Sequence, residues 1–338
     1  MISRIARRGL ILLLAALMAG CNSIVLNPSG DIAAQQGRLV VVSTYLMLLI
    51  IAPVIVLILF FAWKYRQSNT AARYEPDWDH STKLELVIWG APLLIIIALG
   101  MLTWISTHTL DPYRKLSRID ERRPVPANVK PLTVEVVALD WKWLFIYPEQ
   151  GIATVNELAA PVDVPVHFKI TASSVMNSFY IPALAGQIYA MPGMQTELNG
   201  VINAAGDYEG FSANYSGAGF SDMRFRFKGM KAEDFERWVQ ETKANTVQLS
   251  RSEYLKLEKP SIKDPVRRYG NVASDLYHAV LNRCVAEGQV CIDQMMASDM
   301  NVKSAQAGGQ FSMLAQSQSG PRRGAAEICT TPSITTGK

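Results

Sequence analysis

Thiolates and imidazoles are the protein donors that hold soft and borderline metals, and this chain of 338 residues has four cysteines and four histidines to offer. Their spacing does not suit the task. Cys21 stands alone near the N-terminus, and Cys284, Cys291 and Cys329 fall in the last fifth of the chain without a CxxC pair. His80, His108, His167 and His278 lie in separate segments, so no local cluster has zinc-ligand spacing. Cys284 and Cys291 could pair as a disulfide in an oxidising compartment, leaving Cys329 without an evident partner. A net charge of +4, with no basic block interleaved with aromatics, argues against a nucleic-acid partner.

The elements that carry these residues are set first by hydrophobicity, which at 49% is high for a soluble protein. Arg4, Arg7 and Arg8 precede an apolar run over 10–17 that is too short to span a bilayer, the pattern of a secretory signal over 1–20. It ends in Met18-Ala19-Gly20-Cys21, which resembles a bacterial lipobox and makes Cys21 the expected lipidated N-terminus; leucine is commoner where Met18 stands. The plainer alternative is a signal that happens to end near a cysteine. After a short periplasmic segment, 21–38, residues 39–63 are almost unbroken apolar sequence, and a second run fills 85–107. At ~1.5 Å per residue the first exceeds a ~30 Å hydrocarbon core. Pro53 and Pro92 are tolerable inside such helices because neighbouring helices satisfy the freed carbonyls.

Orientation follows from the loop over 64–84, where Lys64, Arg66, Arg73 and Lys83 give a cytoplasmic bias, although Glu75, Asp77 and Asp79 accompany them. Two spans then place everything beyond about residue 110 outside the cytoplasm, in agreement with a lipid on Cys21. Glu85, at the start of the second span, either snorkels to the interface or belongs to a polar pathway.

A charged, proline-containing linker is expected over 111–130. Over 131–229, β-branched and alternating stretches, such as Leu132-Thr133-Val134-Glu135-Val136-Val137-Ala138-Leu139, are separated by turns such as Pro148-Glu149-Gln150-Gly151. They predict a small antiparallel sandwich or barrel. Charge over 111–228, linker included, is nearly balanced, which argues against an acidic docking face for a basic carrier protein. Phe235, Trp238 and Val239 recur at helical spacing, so 230–282 reads as a helical extension. The Ala-, Gly-, Ser- and Gln-rich stretch 283–338 reads as a weakly ordered tail.

Signal with lipobox, two spans and an outer β domain together resemble subunit II of the haem-copper oxidases. Phe61-Ala62-Trp63-Lys64-Tyr65-Arg66, Asp140-Trp141-Lys142-Trp143, residues 147–157 and Val175-Met176-Asn177-Ser178-Phe179 are similar to the cytochrome bo-type ubiquinol oxidase branch, and the match runs from about residue 21 to 260. The resemblance implies a two-helix transmembrane hairpin followed by a cupredoxin-like β-sandwich or barrel with flanking C-terminal helices. In copper-bearing relatives one loop gives a His, and a second gives two Cys four apart, a His four further on and a Met three beyond that. Matched residue by residue, Asn177 stands at the first histidine, Ser212 and Ser216 at the cysteines and Phe220 at the second histidine; Met223 is retained.

The resemblance therefore implies a chain with no cofactor and no catalytic residue of its own, in a complex that oxidises ubiquinol and reduces oxygen to water. The haems and one copper are expected in subunit I, which this chain would brace and cover, with subunits III and IV as further partners and no role for cytochrome c. Ser212, Asn214 and Ser216 are then expected as turn residues whose side chains bond nearby backbone. Trp141, placed where copper-bearing relatives use an aromatic for electron entry, is left to pack. Glu85 would sit at the mouth of a proton-uptake pathway. A cytochrome c oxidase with misaligned ligands fails because no cysteine lies between Cys21 and Cys284; a free-standing lipoprotein with a binding or assembly domain is the alternative of a different class.

Overall fold

The computed structural model describes residues 24–73 and 75–299. The signal, Cys21, Cys329 and the tail beyond 299 lie outside the described residues. Two helices, α1 (Asp31–Lys64) and α2 (Thr82–Thr109), are long and apolar enough to cross a membrane. Both extend beyond their apolar runs. The extra two turns of α1, from Asp31, are polar and contain buried Asp31, Ala33 and Gly37; contact with the β domain, rather than lipid, stabilises them.

That contact is made by backbone. The amide of Gly30 donates to the carbonyl of Ala183 at 2.8 Å, and Gly30 bridges to Ile202. A Cβ on Gly30 would stand 2.7 Å from the Leu184 carbonyl oxygen, closer than a side chain can approach. The Asp31 carboxylate accepts from Arg118 Nε at 2.9 Å and Nη2 at 3.1 Å. Pro112, past the end of α2, accepts from the backbone and side-chain amides of Asn199 at 3.2 and 3.1 Å. Both long helices are thus tied to the domain they carry.

The domain is a two-layer sandwich. Ten strands run in chain order: β1 (Leu132–Leu139), β2 (Lys142–Tyr147), β3 (Ile152–Val155), β4 (Glu157–Pro161), β5 (Val166–Ala172), β6 (Asn177–Tyr180), β7 (Ile188–Ala190), β8 (Thr196–Gly200), β9 (Gly206–Ser212) and β10 (Arg224–Met230). The helix α3 (Ala232–Lys243), the short strand β11 (Gln248–Leu249), the helix α4 (Arg251–Leu257), the strands β12 (Arg267–Tyr269) and β13 (Asn271–Val272), and the helix α5 (Leu276–Leu281) follow. One sheet is ordered β12-β3-β2-β1-β5-β8 and the other β4-β10-β9-β6-β7. The layers meet through Trp143, Phe145, Phe168, Phe179 and Phe225, all essentially inaccessible, with Phe179 and Phe225 stacked at 5.5 Å.

The sandwich departs from the antiparallel expectation in two places. β1 pairs in parallel with β5, and β4 with β10; alternation within a strand reports its buried face and is silent on the direction of its neighbour. The region expected to be helical also contributes β12, which adds to the edge of the first sheet beside β3. Three residues are too few to show a period. Cys284 and Val285 are buried rather than part of a loose tail, and Cys284 and Cys291 both stand in a disulfide. A second unit begins at Val290, helical over 292–299.

Two buried charges pin the C-terminal segment to the strands. Lys142 Nζ donates to the carbonyl of Lys259 at 2.9 Å and to Ser261 Oγ at 2.6 Å. Burial holds its pKa below the usual lysine range, opposed by Asp264. Glu157 accepts from Arg268 Nε at 2.7 Å and Nη2 at 3.0 Å, and from Lys228 Nζ at 2.5 Å. Burial alone would raise the Glu157 pKa, but these donors outweigh it and hold the carboxyl below the ordinary glutamate value. The stability Glu157 contributes is present above the unfolded-chain value of ~4.3 and is lost as pH falls through the lower folded value. Glu157→Gln should cost ~3–5 kcal/mol at pH 7. Thermal melts should also show a shallower loss of stability on acidification below about 4.3 than in the parent chain; an unchanged acid limb contradicts this assignment.

Candidate functional site

Asn177 and Ser212 come together because β6 and β9 are neighbours and Ser212, at the end of β9, lies two register positions from Asn177, within reach of its side chain. Phe179 pairs with Ser212 in the register, and the Ala213 amide donates to the Ser178 carbonyl at 3.0 Å. The Ser212 hydroxyl donates to Asn177 Oδ1 at 3.1 Å, with the Asn214 carbonyl a second acceptor at 3.3 Å, and it accepts from the Ser178 amide at 3.5 Å. Asn177 Nδ2 returns to the Val175 carbonyl at 3.1 Å. Both side chains are buried. Met223 closes the loop: its carbonyl accepts from the Ser212 amide at 3.1 Å, and its side chain is buried with the aromatic core.

Ser216 and Phe220 lie further round the loop. Phe220 opens a single 3-10 turn (Phe220–Asp222), its ring 5.7 Å from that of exposed Tyr215. Ser216 differs from expectation. Its hydroxyl is buried without a hydrogen-bond partner among the described residues, and its carbonyl accepts from Trp141 Nε1 at 3.0 Å. The loop is held by Trp141, whose ring lies so close to Gly217 and Gly219 that a Cβ would stand 2.9 and 2.6 Å from it. Trp141 itself has φ of +74°, a left-handed conformation rare for so large a residue. Sequence reasoning gave Trp141 a packing role but missed its backbone conformation. The Gly-x-Gly at 217–219 was the available signal for a close approach. Asn214 does bond backbone, donating to the Met176 and Tyr215 carbonyls at 3.3 Å.

The donor set is one amide, two hydroxyls, one phenyl ring and one thioether. A binuclear copper centre needs bridging thiolates and imidazoles. A serine hydroxyl forms no comparable soft anion, a phenyl ring has no lone pair to give, and the Asn177 and Ser212 polar atoms are committed to each other. These residues do not fit that group. Among the described residues no three His, Cys, Asp or Glu side chains converge as a metal site.

Glu85 stands apart from these loops, in the first turn of α2, with His80 Nδ1 at 2.9 Å from its carboxylate. His80 Nε2 lies 3.1 Å from Thr82 Oγ1. The carboxylate is exposed on this chain at this end of the helix.

A two-helix hairpin carrying such a sandwich defines a class, and comparison with known proteins supplies its name. Residues 149–229 match the family described as cytochrome c oxidase subunit II, periplasmic domain, and residues 243–288 match the COX aromatic rich motif. The chain is 50% identical over 267 residues to the cytochrome bo(3) ubiquinol oxidase subunit 2 of Pseudomonas putida, covering 79% of this chain and 82% of that one. It is 47% identical over 311 residues to the ubiquinol oxidase subunit 2 of Acetobacter aceti, covering 90% and 98%. The periplasmic domain of cytochrome oxidase subunit II from Bradyrhizobium japonicum aligns at 23% identity over 35% of this chain and 95% of that one, with a TM-score of 0.32. The chain belongs to the ubiquinol oxidase subunit 2 family.

Ser212→Ala should leave Asn177 Oδ1 buried without its donor and cost ~1–3 kcal/mol. Thermal unfolding and limited proteolysis at 213–222 read the effect, and an unchanged melt together with unchanged protection shows that the hydrogen bond does not hold the loop.

Proposed function

We propose that this chain is the non-catalytic second subunit of a proton-pumping ubiquinol oxidase in the inner membrane of a bacterium. Its two helices pack against the large subunit in the bilayer, and its β domain covers that subunit on the periplasmic side. Ubiquinol delivers electrons to the large subunit, which holds the haems and one copper, and no electron passes through this polypeptide. Subunits III and IV complete the assembly, and Cys21 carries a lipid that adds a second anchor beside the spans.

The observation that carries this reading is the oxygen-rich pairing of Asn177 with Ser212, where an electron-accepting copper pair would need sulfur and imidazole. Cytochrome c then has no acceptor to reduce on this chain. A lipoprotein that works alone is the competing reading; two long apolar helices in contact with each other favour an integral partner. Affinity purification of the full chain from its host in mild detergent should bring down a haem-bearing subunit and oxygen consumption driven by ubiquinol, not by reduced cytochrome c. Isolation of the chain alone, without haem, contradicts the assignment.

Glu85 is proposed as the entry of a proton-uptake pathway, supported by its place in the first turn of α2, at the end proposed to face the cytoplasm, and by the His80 side chain 2.9 Å from its carboxylate. Glu85→Ala should slow oxygen consumption and the accompanying proton uptake several-fold without loss of haem. Unchanged rates remove the role.

A further inference from the structure

A cleft of about 360 Å³ lies where the two spans meet the β domain, lined by Asp31 and Gln35 of α1, Thr109 of α2 and the descending segment with Asp111, Arg114 and Lys115. Its depth is set by the apolar runs. Gln35 precedes the run that opens at Leu39 by four residues, and Thr109 follows the run that closes at 107 by two, so the cleft floor stands roughly 3–6 Å beyond the ends of the apolar runs. That is the headgroup layer. Trp104, inside the second run, and Tyr113, past the end of α2, are both exposed and bracket this level in the way interfacial aromatics do.

The charges in the cleft divide into a structural pair and a free set. Arg118 is spent on Asp31, whose carboxylate also accepts from Gln35 Nε2 at 2.8 Å. Asn199 holds the opposite wall through the Pro112 carbonyl. Arg114 and Lys115 are exposed and enter no ion pair among the described residues. The exposed Asp111 carboxylate accepts the Tyr113 amide at 2.9 Å and is otherwise open to the cleft. Two free cations beside one free carboxylate match a group that is anionic at one end and cationic at the other. Below the cleft the exposed apolar side chains of α1 and α2, among them Val40, Trp104 and Ile105, offer a surface for acyl chains.

We propose that the cleft is a phospholipid headgroup site: Arg114 and Lys115 take the phosphodiester, and Asp111 takes an ammonium, which selects phosphatidylethanolamine over phosphatidylglycerol in the outer leaflet. The site would cement the tie between spans and β domain with a lipid that belongs to the protein. It rests on α1 and α2 crossing the bilayer with the β domain outside the cytoplasm, and it is independent of which subunit accompanies the chain.

The test uses the full chain with its accompanying subunits, exchanged into nanodiscs of phosphatidylethanolamine, phosphatidylglycerol and phosphatidylcholine, then released for native mass spectrometry. Arg114→Gln with Lys115→Gln should lower retained phosphatidylethanolamine about tenfold, on the scale of interfacial charge–lipid attraction. Asp111→Asn should remove the preference over phosphatidylglycerol, and the control Lys243→Gln, remote in sequence on α3, should leave retention unchanged. Equal retention in the double variant, equal loss in the control, or displacement by millimolar inorganic phosphate overturns the proposal. The haem spectrum of the same preparation reads the oxidase assignment separately.

Discussion

The bond between the Ser212 hydroxyl and the Asn177 amide is the constraint on which the functional reading depends. Two strand ends that could have converged on a metal converge on each other, buried and hydrogen-bonded, so the polar atoms there satisfy one another. The surrounding loop is then shaped without a ligand. Trp141 supplies the scaffold, with its ring over two glycines and its indole N–H on the Ser216 carbonyl. Aromatic packing and backbone hydrogen bonds hold the loop's shape, and that shape is compatible with a chain whose proposed task is to cover a partner, not to pass electrons.

Covering a partner requires a rigid connection between membrane and outer domain. The Gly30 backbone, the Asp31–Arg118 pair and the Asn199 bonds to Pro112 supply it where α1 and α2 meet the β domain. Glu157 and Lys142 do the same at the far edge, binding the C-terminal segment to the strands with charges that are buried yet partnered. Buried ionic contacts of this kind add little net stability over an apolar replacement, but breaking one partner is costly. They therefore fix one arrangement of the segment more than they strengthen the domain.

Part of this was legible in the residues. Long apolar runs announce long apolar helices regardless of tertiary context, and Asn177, Ser212, Ser216 and Phe220 show by residue type alone that their loops carry neither thiolate nor imidazole. Contacts that depend on distant partners were not legible. The three residues of β12 reveal themselves only beside β3, more than a hundred positions earlier in the chain, and the parallel pairing of β1 with β5 leaves no trace in their alternation. The polar first turns of α1 looked like a segment ahead of a helix because their buried face meets the β domain and not lipid. Ser216 looked like its neighbour Ser212, yet its hydroxyl has no partner among the described residues, and Trp141 holds the loop through the Ser216 carbonyl.

Copper retention by this chain is the most direct test of the donor-poor loop. The purified complex is exposed to copper, treated with a chelator, and its subunits separated before metal analysis. No copper should remain with this subunit, and Met223→Ala should change nothing. Copper that survives chelation on this polypeptide, and that disappears in the Met223→Ala variant, would mean that the loops still hold a metal and that electrons have a route through it.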